Sequence, residues 1–193
     1  MRLNLGCGRD HRTGFVNVDF VPPADMIVDL SRFPWPWSDG SVKEIMMLDF
    51  LEHFPYSQTD RILQEAARVL AVGGQIHIQV PDFKVCAIAA ASIDGYETQC
   101  NRCGEFFSDL FDSVCSRCKQ PRIDVRRAAI HRLYGGQDRP GNWHFAAFTD
   151  ELLSDHVSRA GLVGIRFLER NENGETYSQN WNMRLSAAKG ANR

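Results

Sequence analysis

Leu3-Asn4-Leu5-Gly6-Cys7-Gly8 decides the fold class, because a short apolar-rich strand over Arg2–Leu5 runs directly into a turn with two glycines. Without Cβ atoms, such a turn lets a ligand approach and presents peptide N–H groups to it. A tight turn alone would also explain Gly6 and Gly8. The third glycine of the dinucleotide-binding spacing is absent, since His11 stands in its place.

Working outward, Phe15–Asp19 and Met26–Asp29 read as second and third strands, each ending in an aspartate. Strand C-termini form the edge at which open parallel sheets bind ligands. There Asp19 is placed to accept hydrogen bonds from two ribose hydroxyls, and Asp29 lies near where an adenine amino group would be. Either acid alone would read as a solvated strand end; two in order after a glycine turn carry more weight.

The breaker-rich stretch Phe33-Pro34-Trp35-Pro36-Trp37-Ser38-Asp39-Gly40 reads as a loop, and Val42–Leu48 as a fourth strand. Ser57, three residues before Asp60, resembles the start of a capping box. Ile62, Leu63, Ala66, Val69 and Leu70 then share one helical face, with Gly73-Gly74 as the stop. Gln75–Val80 alternates as a fifth strand ending at Pro81-Asp82. Strand, helix and strand in this order predict parallel pairing with right-handed crossovers. Val85–Ile93 reads as a short helix. Thr149 caps another at about 150–160, with Asp150 and Glu151 at its positive end and Gly161 closing it. Leu162–Leu168 and Trp181–Ala187, joined by the polar Asn171–Asn180 loop, are expected to pair as an antiparallel edge.

The 193 residues suffice for one α/β domain with a small insertion, and a chain of this size buries roughly 70% of its unfolded surface. Net charge is −2, which gives no global case for nucleic acid or anionic membrane. Residues 100–140 are locally basic, with eight Lys/Arg against five acids, a bias that a solvated surface also shows. No apolar run reaches the roughly 20 residues of a membrane span. Met1 leads straight into the first strand with no cleavable apolar segment, so a cytoplasmic protein is expected.

Cys100-x-x-Cys103 and Cys115-x-x-Cys118 are separated by eleven residues. Two such knuckles supply four thiolates for a tetrahedral zinc ion, and Gly104 suits the knuckle turn. Four sulfur ligands leave no open position, so the zinc is expected to be structural. The insert has few large apolar residues besides Phe106, Phe107, Leu110 and Phe111 and would need the metal to order it. Cys7 and Cys86 fall outside the pattern and read as small buried side chains.

Taken together, L-N-L-G-C-G, N-V-D, D-L, P-W-S-D-G-S-V, L-E-H-F, A-R-V-L-A-V-G-G and I-Q-V-P-D occur in order over residues 1–82. This series resembles the class I S-adenosylmethionine-dependent methyltransferases of the small, LEH-containing type, with a looser echo over 143–188. The resemblance implies an α/β Rossmann-like, mostly parallel sheet with an antiparallel C-terminal edge strand. Only ten residues separate Gly8 from Asp19, so the family's first helix is expected to be shortened or missing. The methyltransferase domain would span 1–95 and 122–193, with a zinc-ribbon insertion at 96–121.

Carried over by position, the resemblance implies that Gly6, Cys7 and Gly8 flank the methionine part of the cofactor. Asp19 would bind the ribose, and Asp29 with the Leu30 backbone would read the adenine. The Leu48-Asp49 backbone would lie by the cofactor amine, with Leu51-Glu52-His53 shaping the pocket beside it. Trp35 and Trp37 could cover the cofactor or pack as core or lid. With the first helix lost, Arg9 or Arg12 is expected to meet the cofactor carboxylate instead of a helix N-terminus.

Methyl transfer of this kind depends on holding donor and acceptor in near-attack geometry, which can supply roughly 7–11 kcal/mol. A hydroxyl or amine acceptor must also lose a proton. His144, in the polar loop Asn142-Trp143-His144-Phe145, is the first candidate base; His53 is the second and Asp82 the third. An orienting or structural role fits each as well. His131 is read as a surface residue on a helix. The expected acceptor is a small molecule or glycan. Alternatives are an RNA- or protein-directed methyltransferase docking through the ribbon, and a catalytically silent interaction module. A nicotinamide oxidoreductase fits worst, because the later blocks do not match it.

Overall fold

The computed structural model describes residues 1–91, 117–119, 125–168 and 181–191. Cys100, Cys103 and Cys115, and with them the expected zinc ribbon, lie outside the described residues, as does the Asn171–Asn180 loop. Cys118 is described, and is half-buried.

Seven strands form one sheet: β1 (Arg2–Leu5), β2 (Val16–Asp19), β3 (Met26–Ile27), β4 (Val42–Leu48), β5 (Leu70–Pro81), β6 (Leu162–Phe167) and β7 (Asn182–Lys189). Their order is β3-β2-β1-β4-β5-β7-β6. The first five pair in parallel, and β7 runs antiparallel to both β5 and β6. One expectation is corrected here: the C-terminal strand is not the edge. β7 is inserted between β5 and β6, and β6 is left outside. Burial explains the choice. Asn182–Ala187 is buried throughout, with small Ser186 and Ala187 fitting between layers, whereas β6 exposes most of its length.

The helices α1 (Thr59–Val69), α2 (Phe83–Ala91), α3 (Val125–Tyr134) and α4 (Asp150–Arg159) cover the sheet. Ile62, Leu63, Ala66 and Val69 of α1 are fully buried, as the helical spacing predicts, against Leu3, Leu5, Ile45, Met47, Ile76 and Ile78 of the central strands in a single core. Helix α4 begins as expected, with the Leu152 N–H donating to Thr149 Oγ1 at 3.3 Å. Helix α1 does not: Ser57 lies in a 3₁₀ turn over Tyr56–Gln58, and no side chain caps the helix. Nor do Gly73 and Gly74 stop α1. It ends at Val69, and the glycines fall inside β5, where the register against β4 shifts. A side chain at Gly74 would press on the Ala71 carbonyl, so the irregularity needs glycine there.

No helix joins β1 to β2. The connection is held by polar side chains instead. Buried Asn4 Nδ2 donates to the Asp10 carbonyl at 2.6 Å and to Asn17 Oδ1 at 3.0 Å; Asn17 Nδ2 in turn donates to Asp25 Oδ2 at 2.8 Å. Among the described residues, no helix is long and apolar enough to cross a membrane.

Candidate functional site

A cavity of about 1140 Å³ opens at the C-terminal edge of β1, β2 and β4. Small-molecule sites usually have about 300–1,000 Å³, so there is room here for a nucleoside-sized ligand and a second molecule. One wall comes from the glycine turn after β1. Gly6 and Gly8 have φ of +66° and +51°. A side chain at Gly6 would strike the Phe50 ring, whereas the space beside Gly8 is open. Gly6 therefore lets the turn pass close to Phe50, and Gly8 exposes its backbone to the cavity.

Asp19 fixes that turn to the end of β2. The Gly8 N–H donates to its Oδ2 at 2.8 Å, and the Phe20 N–H to its Oδ1 at 2.7 Å. A carboxylate so held keeps further lone pairs for a ligand. Asp29, on the same side, accepts from Ser31 Oγ at 2.6 Å and Arg32 Nε at 2.9 Å; the Ser31 bond leads in holding its pKa below the usual range. Leu30 lines the cavity beside it, while its carbonyl accepts the Trp35 indole N–H at 3.0 Å. Trp35 and Trp37 belong to the buried core and do not line the cavity.

Leu48 and Asp49 form the floor. Asp49 has φ of +50°, and its carboxylate accepts from Gln79 Nε2 at 3.2 Å and Asn182 Nδ2 at 3.0 Å. Although Asp49 keeps solvent access, the protein packed around its carboxyl raises its pKa. Cys7 also lines the cavity, and burial raises its thiol pKa. Arg9 lines the cavity, whereas Arg12 turns to Asp10 at 2.8 Å and does not.

The opposite wall comes from α3 and the loop after it, with Arg127, His131, Arg132 and Arg139. His131 is exposed as expected, but toward the cavity. The cavity is thus polarised, with aspartates around the glycine turn and arginines facing them. The Gly135-Gly136 pair closes onto Asn142, and Gly141 packs against the Phe20 ring at the mouth.

Two of the three candidate bases come together where these walls meet. The Phe145 and Ala146 N–H groups donate to the Glu52 carbonyl at 2.8 and 3.2 Å, which pins the loop to the Leu51–His53 turn. His53 and His144 then stand edge to face with ring centroids 4.7 Å apart. Each ring directs Nδ1 at a carbonyl, His53 at Trp143 (3.0 Å) and His144 at Arg132 (2.6 Å). A carbonyl can only accept, so both Nδ1 atoms carry a proton, and in its neutral form each ring keeps its lone pair on Nε2. Burial, then the His53 charge, lowers the His144 pKa to about 4, so that ring is neutral at physiological pH. Asp82 is placed elsewhere. It starts α2, accepts the Lys84 N–H at 2.9 Å, and is not among the lining residues.

Sequence reasoning set Glu52 beside the pocket with Leu51 and His53, but not as a buried charge. Glu52 is fully buried beside the two histidines, and neither carboxylate oxygen has a hydrogen-bond partner among the described residues. Desolvation, then the neighbouring Asp49 charge, pushes its pKa well above the usual carboxylate range.

Solved structures share this fold. A SAM-dependent methyltransferase from Archaeoglobus fulgidus superposes with a TM-score of 0.55 at 12% identity, covering 97% of this chain and 85% of that one. One from Methanosarcina mazei gives 0.54 at 14%, covering 99% and 92%. The Burkholderia thailandensis 1,6-didemethyltoxoflavin N1-methyltransferase, solved with that compound and S-adenosylhomocysteine bound, gives 0.53 at 14%, covering 98% and 71%. The chain therefore has the class I methyltransferase fold. No protein-family model matches the sequence, and no curated protein matches it.

Proposed function

We propose that this chain is an S-adenosylmethionine-dependent methyltransferase acting on a small-molecule acceptor. The observation that carries the reading is the joint placement of the open Gly8 turn and Asp19, tied together at the C-terminal edge of the sheet. This arrangement suits the cofactor. Gly6, Cys7 and Gly8 would border its methionine part, Asp19 its ribose, Asp29 and the Leu30 N–H its adenine, and Leu48-Asp49 its amine. Arg9, at the cavity wall, takes the carboxylate in place of the missing helix N-terminus, and Arg12 is set aside. When bound, the cofactor supplies an electrophilic methyl group on a sulfonium.

The chain's own residues supply position and proton handling. His53 and His144 offer imidazole Nε2 atoms at the junction between the cofactor side and the arginine-lined side. The arginines favour an acceptor bearing acidic or strongly polar groups. The stated neighbour that binds a small heterocycle is consistent with this choice over a glycan or RNA. Calorimetric titration with S-adenosylmethionine tests the reading: micromolar binding is expected, and no binding by folded protein would overturn it.

The four cysteines Cys100, Cys103, Cys115 and Cys118 are assigned to a structural zinc on their spacing, with 96–121 as the insertion. Four zinc-bound thiolates would fit a reducing compartment such as the cytoplasm. Zinc content of the purified chain, with and without Cys100→Ser/Cys103→Ser, tests the assignment.

A further inference from the structure

We propose that Glu52, His53 and His144 form a second metal site, for a zinc-like divalent transition ion, at the acceptor end of the cavity. The potential ligand atoms of the three residues lie within 4.8 Å of one another. An ion of this kind holds its ligands about 2.0–2.2 Å away, so the set needs to close by roughly an ångström to grip one. Two imidazoles and a carboxylate are a donor set that suits zinc, cobalt, nickel and iron.

Two features go beyond proximity. First, each histidine donates Nδ1–H to a backbone carbonyl, at 3.0 Å for His53 and 2.6 Å for His144. That second contact is what fixes the tautomer and orientation of a metal-bound imidazole, and it leaves Nε2 for the ion. Second, the Glu52 carboxylate is fully buried with both oxygens unpartnered among the described residues. A buried carboxylate is costly unless something compensates it, and a cation between it and the histidines does so.

All three residues line the cavity. With three protein ligands the ion keeps at least one open position, unlike the closed four-cysteine site. Such a position would suit an oxygen donor of the acceptor, such as a hydroxyl or carboxylate. This last step, the acceptor class, rests on the methyltransferase reading; ion binding itself does not.

Titration of Co²⁺ into the zinc-replete chain tests the site. One Co²⁺ per chain should bind with d–d absorption bands and no thiolate charge-transfer band. His53→Ala and His144→Ala should each weaken that binding by more than about tenfold. Circular dichroism checks that each variant is folded; Glu52→Gln, nearly isosteric, serves if a histidine variant is not. No d–d bands in the folded wild type would overturn the proposal. So would bands unchanged in the variants, or bands seen only with thiolate charge transfer. S-adenosylmethionine titrated in parallel separates the two readings. Cofactor binding without cobalt binding rejects the metal site alone, and cobalt binding without cofactor binding rejects the methyltransferase reading alone.

Discussion

At Gly6 the backbone sits at φ +66°, with the Phe50 ring where a Cβ would lie. Gly6→Ala is therefore expected to strain the turn and displace Phe50 at once, weakening cofactor binding and lowering the melting temperature together. Gly8→Ala meets open space but shares the left-handed backbone, so it should reduce binding with a smaller loss of stability. Glu52 gives a prediction in pH. Its pKa is raised in the folded chain, so the native state holds this proton more tightly than the unfolded one. The stability cost is absent below the unfolded carboxylate pKa of about 4.3 and grows as pH rises through the elevated folded value. Without added metal, Glu52→Gln should melt above wild type at pH 8, and the gap should close near pH 4. A gap independent of pH would contradict a buried, unpaired carboxyl. His144 has the opposite sign. With its folded pKa depressed to about 4, it contributes stability that is present above about pH 6.5 and lost as pH falls toward 4.

Between elements, a buried polar link joins α1 to α4. His156, 3% exposed, sits with Nδ1 2.6 Å from Asp60 Oδ1 and Nε2 2.9 Å from the Tyr56 hydroxyl. His156→Ala leaves Asp60 and Tyr56 without this partner and is expected to cost about 1–3 kcal/mol in urea unfolding. A loss below about 0.5 kcal/mol would mean that the helices are held by Leu153 and Val157 alone. The loop after α3 has a different task. Its backbone bonds to the Leu51–His53 turn bring His144 to His53, residues ninety-one positions apart in the chain. Each histidine could be picked out from its own surroundings; their meeting could not, because it depends on carbonyl acceptors at Glu52, Trp143 and Arg132 that carry no side-chain signature.

At the scale of the whole molecule, the strands were legible because each ends in a turn or an aspartate and alternates or clusters its apolar residues. The missing first helix was legible too, from ten residues where a helix needs more. What fills the gap was not: Asn4, Asn17 and Asp25 read as ordinary polar residues until strand register sets Asn4 beside Asn17. The position of β7 was hidden for a similar reason. Two late strands joined by a polar loop must pair, but which one meets β5 depends on burial on both faces. The burial of Glu52 was hidden because a glutamate in L-E-H-F is polar by type, and only the closed packing around it reveals a buried charge.

The central claim is that the Gly8–Asp19 corner holds S-adenosylmethionine. It is tested most directly by calorimetric titration of this chain and of Asp19→Ala. Wild type should bind in the micromolar range, and the variant should bind more than about tenfold more weakly, the scale of a lost charge-assisted hydrogen bond. Absence of binding by folded wild type, or equal binding by both proteins, would contradict the account.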